Sequence, residues 1–484
     1  MSETDVLGEP AAGRRAIRGG GLRVAGYGAG AVLTAATSVL LLRYLSVEDF
    51  GAYVTVTSLV AIVSGITEAG LGLVAQREWI GAPNTRERSE IVSTVVGIRL
   101  LTTPLGVLVA LAFGVAAGYQ HMLLLGIALA GAGLVVANVA ASLTVPLGAQ
   151  LRFGAVTAAE LARQVAIMLA IVVVVVVGGS FAALFLAHIA GGIAMLAVTM
   201  AFVGAAAARP SFSWERWRPL LIAAAPVAAA AVVNVVYLRL LVVLTSLLAS
   251  AEDTGLFATS YRILEVFAGV PGLMMSAAFP ILAYAGGGDE PRLAYALQRM
   301  IEAALLVSFL VVLILVAAGE PIVVLLGGEE YRSAAGVLQI QAVALVGAFL
   351  TQVWALALVA VHKQRALIAV NVVALSTALI GGSILIPLAG AHGAALAAVL
   401  GEAVLATTCA VMLVRARPAL RPSAGRPLRL VGAALVGVAI ALVPGLPDVA
   451  AAALSATVFL AVAALLRAIP DELLEAVRRY RGAP

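Results

Sequence analysis

Residues 43–53 read RYLSVEDFGAY, and a near copy of this stretch returns 204 residues later. Ser46-Val47-Glu48-Asp49-Phe50-Gly51-Ala52-Tyr53-Val54-Thr55 aligns with Ser250-Ala251-Glu252-Asp253-Thr254-Gly255-Leu256-Phe257-Ala258-Thr259. Five of the ten positions are identical, and an aromatic residue, Tyr53 or Phe257, stands at the same place in each. Each copy has a local use. The serine can cap the following helix, the two acids suit its positive N-terminus, and the glycine permits close packing. Local use explains one such turn, but not why an apolar chain carries it twice.

The chain is 63% apolar and 11% charged, with a mean hydropathy of +1.10. Soluble domains carry about a quarter charged residues, so this is an integral membrane protein. The basic pI of 9.6 does not point to nucleic acid, because excess arginine in a membrane protein marks its cytoplasmic loops. There are 29 arginines and one lysine, Lys363. A single cysteine, Cys409, excludes a disulfide within the chain. Residues 1–20 are polar, glycine-rich and basic, and no removable signal peptide is expected.

A membrane-spanning helix takes about 20 apolar residues. Fourteen such spans are expected near 22–45, 50–75, 92–117, 122–145, 158–178, 181–205, 219–248, 255–283, 298–327, 334–361, 366–388, 391–414, 428–445 and 449–467. The ninth is long, and Gly319-Glu320-Pro321 is expected to kink it. The valine run 172–177 would suit a strand in water, but within a bilayer backbone satisfaction requires helix. With both termini in the cytoplasm, 24 basic residues fall on the inner side. Two, Arg43 and Arg332, fall outside, and four, Arg99, Arg163, Arg239 and Arg262, lie within spans. That asymmetry supports the orientation and an even number of spans. The outer loops are short, so no outer catalytic domain is present.

Both acidic turns then lie on the outer face, one after span 1 and one after span 7. The correspondence continues: Arg152 matches Arg365, and Ala182-Ala183-Leu184 matches Ala394-Ala395-Leu396, at offsets of 213 and 212. The duplication therefore predicts an all-α polytopic fold. Two six-helix lobes of the same orientation are related by a pseudo-two-fold along the membrane normal, with a site expected at their interface. The expected divisions are a cytoplasmic N-terminal tail (1–21), an N-lobe (22–205), a cytoplasmic linker (206–218), a C-lobe (219–414), two extra spans (428–467) and a cytoplasmic tail (468–484). Trp214 and Trp217 in the linker suit the headgroup level. The tail 469–484 reads as a short surface helix, acids first and arginines last, matching its dipole.

The pattern RYLSVEDFGAY…EAGLGLVAQRE (43–53 and 68–78) resembles the opening of bacterial polysaccharide flippases. These include the O-antigen and exopolysaccharide flippases of the multidrug/oligosaccharidyl-lipid/polysaccharide exporter superfamily. Gly327-Gly328-Glu329-Glu330-Tyr331 resembles that family's turn after the ninth span. The resemblance covers spans 1–12. It implies alternating access by two lobes, a polyprenyl-pyrophosphate-linked glycan carried to the outer leaflet, and a place in the bacterial inner (plasma) membrane. It also implies a cavity lined by spans 1, 2, 7 and 8, and glycan polymerase and glycosyltransferases as neighbours.

Ionisable groups inside spans are costly and face a cavity or a partner. Arg239, Arg262, Arg99, Arg77 and Arg43 form a candidate basic lining for a pyrophosphate, because the planar guanidinium binds phosphate oxygens bidentately and stays charged. The competing reading is structural. Arg262 can pair with Glu265, and Arg163 with Glu160, each three positions apart on one helix face; Arg99 and Arg77 are close enough to the inner surface to snorkel. Glu68, Glu265 and Glu402 are candidate carriers of a coupling proton or Na⁺. Glu302 and Glu320, nearer the ends of span 9, rank lower. Asn138, Asn234 and Asn371 suit interhelical hydrogen bonds. The four histidines show no metal-ligand spacing, no cofactor is expected, and no Walker A sequence exists for ATP. Besides the flippase, the residues leave open a cation-coupled multidrug exporter of the same superfamily. A membrane glycan polymerase or ligase, disfavoured by the short outer loops, and a non-transporting scaffold for glycan assembly are also open.

Overall fold

The computed structural model describes residues 12–204, 209–286, 290–363 and 365–470. All regular structure among them is helical. The expected surface helix at 469–484 lies, from residue 471 on, outside the described residues. Twelve helices are long and apolar enough to cross a membrane. One of them, Ala366–Ala416, is two lengths joined at a kink, where Ala389 leaves helical geometry and Gly390 takes φ 53°. A further helix of 36 residues, Ala251–Gly286, completes the fourteen expected spans, and the valine run 172–177 is the end of a helix.

Packing divides the chain into two compact units. One comprises Met1–Tyr44 and Ala52–Arg239, the other Leu45–Gly51 and Leu240–Pro484. The first contains α1 (Ala12–Tyr44), most of α2 (Val47–Glu68), α3 (Leu71–Gly81), α4 (Thr85–Ala116), α5 (His121–Leu143), α6 (Val145–Ala149), α7 (Phe153–Val177), α8 (Ala183–Val203) and the start of α9 (Trp214–Leu248). Expected span 2 is not continuous. It breaks at Ala69-Gly70, where Gly70 adopts φ 70° and α3 begins. Small residues bring the unit's helices together. A Cβ on Gly192 would stand 2.7 Å from Gly133 O, and one on Gly30 would stand 2.6 Å from the Gln164 side chain. Close backbone approach of this kind drives helix association in lipid, where burial supplies little.

The segment after residue 208 is strapped to this unit. Ser211 N donates to Ser93 O (2.9 Å), and Trp217 Nε1 donates to Ser211 O (2.9 Å). Trp217 is only 8% exposed and packs with Leu71, Val74, Ile98 and Leu220. It is a core residue, whereas Trp214 is 66% exposed. Apolar contact with α3 and α4 outweighs the interfacial preference of the indole.

The second unit contains α10 (Ala251–Gly286), α11 (Glu290–Ala317), α12 (Gly319–Gly327), α13 (Ala334–Ala342), α14 (Ala344–Ala360), α15 (Ala366–Ala416), α16 (Gly425–Ala441) and α17 (Asp448–Leu465), with the end of α9 and residues 45–51. Expected span 9 is two helices rather than one kinked helix. Ala318 leaves helical geometry, and Glu320 and Pro321 sit in the first turn of α12, where a missing proline N–H costs nothing.

The two acidic turns meet in this unit. A Cβ on Gly51 would lie 2.6 Å from Gly255 N, and one on Gly255 would strike the Val47 carbonyl. Ser46 and Ser250 cap their helices, accepting from Asp49 N (3.2 Å) and Asp253 N (3.0 Å). The 327–331 turn fastens the first copy. Tyr331 Oη donates to Leu45 O (2.8 Å) and Ser46 O (3.0 Å), and its ring meets Phe50 edge-on. Burial, with Glu330 and Asp49 nearby, pushes the Tyr331 hydroxyl pKa up, so it stays a donor. Tyr331→Phe removes the hydroxyl donor from the buried Leu45 carbonyl and from Ser46 O, which keeps its bond from Phe50 N, and is expected to cost about 1–3 kcal/mol. The check is thermal unfolding of the purified variant; an unchanged melting temperature would refute the fastening role.

Candidate functional site

In the first unit, Arg99 lies on α4 about 21 Å from its N-terminus, at 1.5 Å per residue. It does not snorkel. Its side chain is 1% exposed, beneath the break between α2 and α3. Nη1 donates to Asn138 O (3.2 Å), Nη2 is 3.9 Å from Glu68 Oε1, and Nε has no hydrogen-bond partner. Asn138 bridges the surrounding helices, donating to Thr67 Oγ1 and Thr103 Oγ1 at 3.0 Å each. The structure thus brings together two residues given different roles above, Arg99 for the anion and Glu68 for the ion. A guanidinium held this close repels a second cation, which weighs against Glu68 as a Na⁺ ligand.

Arg77, on α3, is exposed and bonded to Glu78 (2.8 Å). Arg43 is exposed in the last turn of α1. Arg239 is half-buried on α9, nine residues before the helix end, or about 14 Å. Arg163 meets Glu160 at 2.5 Å, the pairing expected from their spacing.

In the second unit, Arg262 lies on α10 about 16 Å from its start. Nη1 donates to Glu265 Oε2 (2.8 Å), with the two side chains 16% and 29% exposed. Two residues earlier, buried Ser260 Oγ donates to Gln341 on α13. Glu402 is half-buried on α15, its backbone against Gly347 of α14. Asn371 donates to Leu367 O of its own helix (2.8 Å).

The most buried carboxylate in this unit's ion pairs is one the sequence reading ranked low. Glu302 on α11 is 2% exposed and accepts from Gln298 (2.8 Å), Arg299 (2.8 Å) and Arg426 (3.4 Å). Gln298 also bonds Ser423 in both directions. This cluster pins α16 to α11. Its signal in the sequence was the Gln-Arg pair four and three residues before Glu302, which puts both donors on its face.

The second acidic turn does more than the first. Asp253 Oδ1 accepts from Ala391 N (3.0 Å), capping the length of α15 beyond the kink, and Ser250 Oγ donates to Oδ2 (2.7 Å). Burial by itself raises the Asp253 pKa. The bonds from Ala391 and Ser250, with His392 nearby, outweigh burial and hold it below its ordinary value. A carboxyl lowered by folding stabilises above the ordinary aspartate range, and that stability is lost as pH falls through the lower native value. Asp253→Asn is therefore expected to flatten the loss of thermal stability below about pH 4. An unchanged acid limb in a melting-temperature series would contradict this.

Among the described residues, no group of three or more His, Cys, Asp or Glu is placed to hold a metal ion.

The chain matches the family described as polysaccharide biosynthesis protein over residues 40–336. No curated protein sequence matches it. Among solved structures it resembles the lipid II flippase MurJ in an inward closed conformation. The TM-score is 0.76 at 12% identity, over 93% of this chain and 98% of that one. An inward-facing multidrug resistance MATE family transporter of the MOP superfamily follows, with TM-score 0.65 and 15% identity over 81% and 95% of the two chains. An outward-facing MATE transporter gives 0.54 and 15% over 87% and 99%. Identities this low establish the fold.

Proposed function

The chain belongs to the polysaccharide biosynthesis protein family, and from that premise we propose that it is a flippase. Its cargo would be a polyprenyl-pyrophosphate-linked oligosaccharide, moved from the cytoplasmic to the outer leaflet of a bacterial inner membrane by alternating access. The observation that carries this is the arginine content of the spans. Arg99 and Arg262 lie deep in helices that cross the bilayer, Arg99 3.9 Å from Glu68 and Arg262 2.8 Å from Glu265. Fixed positive charge there suits an anionic head and opposes cationic cargo. The sugar would follow the head, and the prenyl tail would stay in lipid. Net movement requires the two states to bind the cargo differently. The whole-length likeness to a lipid II flippase fits this reading.

The likeness to multidrug transporters keeps a second reading, a cation-coupled drug exporter. Its carboxylates would be Glu68, Glu265 and Glu402. The first two stand against arginines.

The test is reconstitution into vesicles with a polyprenyl-pyrophosphate oligosaccharide on one leaflet. An added glycosidase reports its accessibility, with and without an ion gradient. Protein-dependent loss of accessibility is expected. Absence of movement in folded protein, together with drug efflux, would replace this reading with the second.

A further inference from the structure

We propose that the end of the α16–α17 hairpin bearing Arg429 and Arg467 is a binding surface for the headgroup of an anionic glycerophospholipid. The surface belongs to the second unit alone, and it holds whatever the cargo is.

Residues 403–447 contain five arginines and neither aspartate nor glutamate. Two of the five are spent on α11, where Arg417 pairs with Glu290 and Arg426 with Glu302. With the bonds between Gln298 and Ser423, these pairs fix the loop that joins α15 to α16. Arg415, Arg421 and Arg429 are exposed and pair with no carboxylate among the described residues. The loop is thus held in place by its own ion pairs while its other arginines face outward, and charges of one sign gathered this way raise the local positive potential.

The end of α17 comes to the same place. Arg429 Nη1 donates to Leu466 O (3.2 Å), just past the last turn of α17. A cation at a helix C-terminus is ordinary, and that structural reading accounts for this bond. It does not account for Arg467. The helix closes with Ala468 N bonded to Ala463 O (2.8 Å) and Arg467 N to Ala464 O (3.0 Å). The left-handed residue of such a pair is usually glycine; here it is Arg467, at φ 52° and exposed. A non-glycine residue there strains the backbone, and what the position gains is a second exposed guanidinium at the end that Arg429 occupies. Apolar surface adjoins the charge. Leu428, before Arg429, and Leu465, before Leu466, are 65% and 82% exposed. Gly432, three residues beyond Arg429 on the same helix face, leaves open space. Arginine forks take phosphate oxygens bidentately, and bare leucines beside them suit acyl chains. A phosphodiester with acyl chains fits this arrangement better than a free anion, and arginines clustered beside a membrane helix favour anionic lipid.

The test uses the full chain in phosphatidylcholine nanodiscs, titrated with phosphatidylglycerol, glycerol phosphate or polyprenyl diphosphate, with lipid binding and melting temperature both read. Wild type is expected to bind phosphatidylglycerol and to melt higher with it, an effect that shrinks as salt is raised. Arg429→Gln and Arg467→Gly are each expected to weaken that binding about fivefold, and the double variant about 25-fold. Arg467→Gly separates the lipid role from a structural one. Glycine relieves the left-handed position, so in phosphatidylcholine alone this variant should melt no lower than wild type while binding less phosphatidylglycerol. It also keeps the test open if Arg429→Gln fails to fold. Phosphatidylglycerol binding as tight in Arg467→Gly as in wild type, or no preference of wild type for phosphatidylglycerol over phosphatidylcholine, overturns the proposal. Equal binding of glycerol phosphate would make the surface a site for soluble anions instead. Tighter binding of polyprenyl diphosphate, lost in the same variants, would make it a surface for cargo.

Discussion

Replacing Arg262 with Ala is expected to lower transport of a polyprenyl-pyrophosphate oligosaccharide more than about tenfold, with normal protein in the membrane. A hydrogen bond to a charged group contributes about 1.5–3 kcal/mol, and each 1.4 kcal/mol is a factor of ten in binding. Arg262 sits deep in α10 and donates to Glu265, and its planar guanidinium suits the oxygens of a cargo phosphate. The single variant has a confound, because it also leaves Glu265 without this partner in a half-buried place. The double variant Arg262→Ala/Glu265→Ala separates the two effects. If the arginine binds cargo, the double variant stays inactive. If it only neutralises Glu265, the double variant recovers, and the binding role is lost. Arg239→Ala, on α9, is the companion: full transport in both single variants would remove both arginines from the site.

Gly255→Val is expected to prevent the second unit from reaching its native packing. At this glycine an added Cβ meets the Val47 carbonyl, which is backbone and cannot rotate away. Forcing extra atoms into a packed interior costs about 1–3 kcal/mol, and occasionally more; a backbone obstacle places this case at or beyond the upper end. The contact joins the two copies of the acidic turn, so the Ser46 cap and the bonds from Tyr331 lose their register with it. Gly272→Ala on the same helix is the control. Nothing lies within 4 Å of its would-be Cβ, and alanine there should stabilise by about 0.5–1 kcal/mol. Folded yield and melting temperature in detergent decide between them. A Gly255→Val protein that melts with the wild type would refute the close approach.

Much of this protein is legible along the chain because lipid leaves little choice. Residues 172–177 illustrate it: six valines favour strand in water, but a backbone without water must close its hydrogen bonds within the segment, and they form the end of α7. The same constraint made all fourteen spans countable. Short-range spacing also carried over, since Arg262–Glu265 and Arg163–Glu160 lie three apart on a helix and pair there. Glu302 shows where that logic was available and passed over.

The sequence by itself determined the membrane class, the helical architecture, the duplicated turn and which charges lie inside spans, because these follow from local hydropathy and helix periodicity. Tertiary structure alone decided what those charges meet. Arg99 reads as a residue near the inner surface; only the break at Gly70 and the approach of Asn138, 39 residues on, bury it under a helix end. Trp217 reads as an interfacial anchor; only the packing of α3 and α4 makes it core. The twin glycines read as local conveniences; only when the two turns meet does Gly51 stand against Gly255. These outcomes depend on which distant helices come together, and in lipid that choice rests on shape and on a few polar contacts, neither of which is written at any fixed spacing in the chain.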